Sequence, residues 1–257
     1  MKAAWITGSA KRLGRSIAIR LAREGYYTFV HYRNSRDDAE ETLASIVSAG
    51  GRGSLLRGDV GKRESVFAMA KTIRSKTGRL DVLVHNVGNY HCGPLLELPG
   101  ETFSELWKTN TASVLHLIQA VVSLFPRTGG SFLSIGYSGM NQITGTTHNA
   151  GYLATKTALL VLVKSLALEL APKNIRVNMV SPGILDNSVE LPRRIEEFAP
   201  LGRLGRPEEI AEAVAFLAGP GAEYITGINL DVTGGYMAEL KTLGQRDLLR
   251  RSPRRKK

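Results

Sequence analysis

The chain has 257 residues, of which 43% are hydrophobic and 22% charged; this suits one large α/β globule and excludes a low-complexity or fibrous chain. Its single cysteine, Cys92, excludes a disulfide framework and a cysteine-cluster metal site, and fits a reducing compartment. The formal net charge of +11 is uneven, because residues 241–257 hold eight Lys or Arg against one Asp and so carry +7, leaving +4 for the preceding 240 residues.

Lys2-Ala3-Ala4-Trp5-Ile6 runs straight into a glycine turn and reads as a first strand, so no signal peptide is expected. No apolar run is long enough to span a bilayer, and the expected location is cytoplasmic. Strand is predicted over 3–6 and helix over 13–24, stopped by Gly25. Strand 27–32, helix 37–49, strand 54–57 and helix 63–77 follow, then strand 81–85. Helix over 101–125, strand 131–135, helix 152–170, strand 176–180, helix 208–217 and strand 228–232 complete the order. This alternation predicts one domain over 1–240, a doubly wound Rossmann-type parallel sheet with helices on both faces. Its ligand site belongs at the carboxyl ends of the strands. Residues 241–257 read as a disordered basic tail.

The first carboxyl end is Thr7-Gly8-Ser9-Ala10-Lys11-Arg12-Leu13-Gly14. Gly8 and Gly14 permit a tight turn and close backbone approach to a pyrophosphate at a helix start, with Leu13 beside them. Arg12 stands where the middle glycine of G-x-G-x-x-G would be and adds a cation suited to phosphate. Strand two ends His31-Tyr32-Arg33-Asn34-Ser35. An NAD site would place a carboxylate there for the ribose 2′-hydroxyl. Here Arg33 offers a charge, and Asn34 and Ser35 offer donors, for a 2′-phosphate, so the expected cofactor is NADPH/NADP.

Tyr152 and Lys156, four apart on one helix, share a face. A free phenol has a pKa of about 10, and a nearby cation lowers it towards the range useful in general acid–base catalysis.

The glycine turn, Asp59-Val60, His85-Asn86-Val87-Gly88, Asn110, Tyr152 with Lys156, and Ser181-Pro182-Gly183 have the order and spacing of the short-chain dehydrogenase/reductase family, which the chain resembles over about 2–238. The resemblance implies that Asp59 and Val60 hold the adenine, and that Asn86, Val87 and Gly88 support the cofactor with Pro182 and Gly183. It implies that Asn110 carries a water-linked proton path to Lys156. It further implies that Tyr152 protonates the substrate, while Lys156 binds the nicotinamide ribose and lowers the Tyr152 pKa. Within the family the chain looks most like pteridine reductases, which share the Thr-Gly-x-Ala-Lys-Arg-Leu-Gly turn, His31-Tyr32 with Ser35, and an aromatic near Asn86-Val87-Gly88-Asn89-Tyr90. Tyr90 would stack a flat ring against the nicotinamide.

The family's Ser, about thirteen residues before the Tyr, is absent: position 139 is Gly, and Tyr137 and Ser138 are the nearby hydroxyls. The expected substrate-facing set is Arg12, Tyr90, Tyr137, Ser138, Tyr152 and Leu185. His91 and His148 read as surface residues, and the loop 183–204 as a substrate lid.

The expected activity is NADPH-dependent reduction of a pterin or folate by a homotetramer, without metal, membrane or nucleic-acid partner. A 3-oxoacyl-thioester reductase of the same fold is the alternative, and nucleic-acid binding through the basic tail is the non-enzymatic one.

Overall fold

The computed structural model describes residues 1–188 and 199–236. The basic tail and the middle of the expected lid lie outside those residues.

Seven strands form one parallel sheet in the order β3-β2-β1-β4-β5-β6-β7. They are β1 Ala3–Ile6, β2 Tyr27–Tyr32, β3 Arg52–Arg57, β4 Val82–His85, β5 Gly130–Ile135, β6 Ile175–Pro182 and β7 Asn229–Val232. The helices are α1 Arg12–Arg23, α2 Arg36–Ser48, α3 Arg63–Thr77, α4 Gly100–Trp107, α5 Ser113–Val121, α6 Ala150–Leu170 and α7 Pro207–Ala218. This is the doubly wound sheet that strand–helix alternation predicts.

Alternating side chains split the core in two. Trp5, Leu83, Phe132 and Met179 pack under α3, α5 and α6, whereas Ile6, Val84, Leu133 and Val180 pack under α1, α2 and α7. On α1 the buried Ile17, Ala18, Leu21 and Ala22 make one stripe, and Gly25 ends the helical segment at φ +84°. On α6, Leu159, Leu160, Val163, Leu166 and Leu170 are buried while Val161 and Leu168 face outward.

The main departure from expectation is the helix over 101–125. It is broken by a π turn, Lys108–Ala112, between α4 and α5, and ends in a tight turn over Val122–Leu124. Hydrophobic periodicity cannot register one residue of extra winding, and both halves keep helical spacing on either side of it. Strands β3 and β6 are longer than predicted, because Arg52 and Pro182 extend pairings that propensity alone would end.

The chain leaves β1 for β2 and β3 on one side, then returns to β4 on the other. The carboxyl ends of β1 and β4 therefore flank the crevice expected to hold a ligand.

Candidate active site

The β1–α1 turn is shaped for close approach. Gly8 has φ +64°, and a Cβ on Gly14 would collide with the Gly8 carbonyl oxygen. Arg12 sits at φ 53°, a left-handed conformation that costs an L-residue about 1–2 kcal/mol. Its side chain is exposed. The turn is braced from behind. Thr7 Oγ1 accepts from the amides of Asn86 and Val87 at 2.9 and 3.1 Å, and Asn86 Nδ2 donates to the carbonyls of Thr7 and Gly8 at 3.0 and 3.1 Å.

His31 belongs to this bracing. The Gly8 amide donates to its Nδ1 at 2.8 Å, and its ring is 2% exposed. The expectation that His31 faces the cofactor is therefore corrected: the imidazole lies beneath the turn and acts on it through Gly8. Burial pushes its pKa down to about 4, so it stays a neutral acceptor at neutral pH.

Tyr32 and Val60 are buried, whereas Arg33 and Asn34 are exposed and Ser35 is half-buried. Arg33 Nη1 lies 3.7 Å from Asp59 Oδ2, and Asp59 Oδ1 accepts from the Gly61 amide at 2.9 Å. A turn kept open by Gly8 and Gly14, with the exposed Arg12 and Arg33 available to phosphate, fits a phosphorylated dinucleotide.

Beyond β4 the predicted catalytic residues converge. Lys156 is 3% exposed; its Nζ donates to the Ile135 carbonyl at 2.8 Å and lies 5.8 Å from the centre of the Tyr152 ring. Burial pushes the Lys156 pKa down to about 8. The Tyr152 phenol is pushed up from its ordinary value, first by burial and then by Tyr137 and Tyr90. The expected lowering by Lys156 does not appear in the protein alone, where the ammonium is bonded to the Ile135 carbonyl of β5.

The π turn presents Asn110, which is fully buried. Its Oδ1 accepts from the Asn89 amide at 2.7 Å, and its Nδ2 donates to the Asn89 carbonyl at 2.9 Å and to Thr155 Oγ1 at 3.0 Å. Thr155 Oγ1 in turn donates to the Tyr152 carbonyl at 2.7 Å. A Cβ on Gly88 would fall 3.3 Å from Lys156 Nζ and 3.4 Å from Asn110 Oδ1, so this glycine lets the β4 loop run close over both.

Aromatic edges flank Tyr152. The Tyr90 ring lies 5.0 Å away at 73°, and the Tyr137 ring 5.7 Å away at 86°. Tyr90 and Tyr137 also wall a cavity of about 390 Å3 that includes Arg12, Leu13, Ser138 and, from the end of β6 and the loop after it, Pro182, Gly183 and Leu185. Tyr152 stands behind those two rings. Of the two hydroxyls left open by the sequence, Tyr137 packs on Tyr152 and Ser138 is buried in the cavity wall. His148 also reaches that wall, with its Nε2 3.1 Å from Cys92 Sγ. A larger cavity of about 590 Å3, at the amino edge beside Asp81 and Arg176, holds none of the predicted site residues.

Sequence reasoning missed Thr7, Thr155 and Asn149, whose Nδ2 donates to the Tyr90 hydroxyl at 3.4 Å. Thr155 lies inside the Tyr–Lys spacing itself, and Thr7 directly precedes the first glycine. Small hydroxyls beside such landmarks were the available signal.

The family profile described as enoyl-(acyl carrier protein) reductase matches residues 8–237. The 3-oxoacyl-[acyl-carrier-protein] reductase FabG of Staphylococcus aureus is 35% identical over 241 residues, covering 91% of this chain and 97% of the relative. A solved blue fluorescent protein from a metagenomic library, in complex with NADPH, superposes with a TM-score of 0.86 at 29% identity, over 91% of this chain and 97% of its own. A solved double mutant of a Serratia marcescens short-chain dehydrogenase/reductase gives a TM-score of 0.86 at 32% identity, over 92% and 98%. With the Tyr152–Lys156 pair, Asn110 and the glycine turn standing together at the carboxyl edge, the chain belongs to the short-chain dehydrogenase/reductase family of oxidoreductases.

Proposed function

We propose that this chain is an NADPH-dependent reductase of a 3-oxoacyl thioester. The observation that carries the reading is Tyr152 with Lys156 5.8 Å from its ring centre, and Asn110 linked to Tyr152 through Thr155, beside the 390 Å3 cavity. The substrate class is supported by the similarity to the S. aureus 3-oxoacyl-[acyl-carrier-protein] reductase, aligned over nearly the whole of both chains. Leu13, Ile184 and Leu185 give the cavity an apolar side for an acyl chain, and Ser138 offers a hydroxyl to a carbonyl.

When bound, NADPH supplies the hydride that reaches the carbonyl carbon. Tyr152 gives its phenolic proton to the carbonyl oxygen, and the Lys156 ammonium stabilises the phenolate left behind. Asn110, clamped by Asn89 and Thr155, fixes the helical turn from which proton replacement is routed. Arg33 and the missing strand-end carboxylate support NADPH over NADH. The test is NADPH oxidation with a panel of acetoacetyl thioesters, dihydropterins and dihydrofolate; turnover confined to the pterins would overturn the thioester reading.

That second reading, a pterin or folate substrate, is supported by one feature. Tyr90 and Tyr137 bring two rings to the cavity beside Tyr152, a setting that suits a flat heterocycle. The S. aureus relative supports the thioester reading over it.

The assembly we propose is a homotetramer. Trp107, Leu115, Val161 and Leu168 are 43%, 38%, 61% and 81% exposed on α4, α5 and α6, which supports helix pairing between copies. Sedimentation at micromolar concentration should give a tetramer, and a monomer would refute it.

A further inference from the structure

Strand β4 ends on His85, which is fully buried against α5. Its Nε2 lies 2.9 Å from Ser113 Oγ, and that hydroxyl donates to the Thr109 carbonyl at 2.6 Å. A hydroxyl has one proton to give. Ser113 gives it to Thr109, so the imidazole must be the donor in the other bond, and neutral His85 carries its proton on Nε2. Its Nδ1 remains a bare lone pair, buried and without a hydrogen-bond partner among the described residues.

Ser134 is the in-register neighbour of His85 on β5, so the two side chains stand on the same face of the sheet. Its Oγ is also buried and without a partner among the described residues. The next residue, Ile135, holds Lys156 Nζ through its carbonyl, which uses one of three ammonium protons. The Lys156 charge also reaches His85, adding to the burial that pushes the imidazole down to about 3. An acceptor and a hydroxyl thus stand side by side on the sheet face that α6 covers, within reach of the Lys156 charge.

We propose that His85 is a positioning residue of the reductase, working through both ring nitrogens. Nδ1 and Ser134 Oγ seat a buried water that accepts a hydrogen bond from the Lys156 ammonium and donates to Nδ1, while Nε2 pins the π turn carrying Asn110 through Ser113 and Thr109. Three polar partners suffice to hold a buried water. The assignment rests on the Tyr152–Lys156 reading. The titratable groups next to Lys156 are His85 from β4 and Tyr152 from α6, with Tyr137 and Tyr90 from the loops packed on Tyr152; Ser113, Thr109 and Asn110 are neutral.

Three variants separate the two arms. His85→Asn retains an amide atom near the place of Nδ1, His85→Gln reaches the place of Nε2, and Ser134→Ala removes only the hydroxyl. In the Gln and Ala variants the ammonium loses solvation, so the alkaline limb of kcat/KM should move down by about one pH unit. His85→Asn should keep the limb and instead speed hydrogen exchange of the Lys108–Ala112 amides. A limb unmoved in both the Gln and Ala variants, or moved as far by Asn, overturns the proposal.

A readout independent of turnover is the imidazole 15N spectrum of the full-length unmodified protein. The neutral Nε2–H form should persist at pH 5, and an Nδ1–H form or an imidazolium there would overturn the proposal. Failure of the Tyr–Lys reading would show separately, as turnover retained by Tyr152→Phe.

Discussion

The carboxyl edge of the sheet has two unlike halves. Around β1 and β2 the contacts are polar, short and made largely to backbone: Asn86 to Thr7 and Gly8, and Gly8 to His31. Around the cavity the contacts that define the space are aromatic edges from two loops, Tyr90 and Tyr137 against Tyr152. The first half is fixed by backbone geometry and has little tolerance for an added atom. The second is fixed by side chains on connecting segments, and changing a ring changes the space without disturbing a strand. A common cofactor half with an individual substrate half is what this division produces.

The comparison breaks first at Tyr152, where the halves meet. Tyr152→Phe should keep the fold and NADPH binding while lowering kcat by about 10²–10⁴-fold, measured by steady-state NADPH oxidation. Turnover within a few-fold of the unmodified protein would assign the proton to another group.

The polar bracing should also show in the pH dependence of stability. His31 and His85 have folded pKa values of about 4 and about 3, below the ordinary 6.5. Between those limits the unfolded chain binds more protons, so stability should rise with pH across that window and be lost as pH falls below 6.5. The expected loss is about 1–2 kcal/mol per histidine between pH 7 and pH 5, read from urea midpoints. His31→Asn, which keeps an acceptor for Gly8, should remove about half of that slope.

Cofactor choice tests the outer rim of the same half. NADPH should bind at least about tenfold more tightly than NADH, and Arg33→Ala should erase most of the difference in a fluorescence titration. Tyr90 tests the other half. Tyr90→Ala should lower any pterin turnover by about tenfold, mainly in KM, and leave acetoacetyl thioester reduction nearly untouched. Tyr90→Phe should be the mildest change, since the ring stays. Parallel loss on both substrates together with a lower thermal midpoint would make Tyr90 a packing residue.

What could be read from the sequence follows the same division. The parallel sheet, the glycine turn and Tyr152 with Lys156 were legible because each depends on a periodicity or on a residue type that the backbone requires. Gly14 has no room for a Cβ, and that demand is written in the residue itself. The inward placement of His31 was hidden, because a histidine at a strand end can face either way and only the pleat decides. The choice between substrate classes was not legible either, since Tyr90 and Tyr137 come from loops whose approach to Tyr152 no spacing predicts. Burial also reversed one electrostatic expectation: the resemblance implied that Lys156 lowers the Tyr152 pKa, but desolvation of the phenol pushes it up.

The π turn at Lys108–Ala112 sets a phase between two helices. Each residue of an α-helix advances about 100° around the axis and about 1.5 Å along it. Removing one residue from this turn would let α4 and α5 run on as a regular helix, with every amide satisfied in the ordinary way. It would also swing Leu106 of α4 away from its place beside Gly151 of α6, or else carry Asn110 out from between Asn89 and Thr155. Local regularity and the aim of one side chain are therefore alternatives in this segment. A shortened variant selected for thermal resistance would be expected to gain a smoother helix at the expense of turnover, and restoring the residue on either side of position 110 would distinguish winding from side-chain identity.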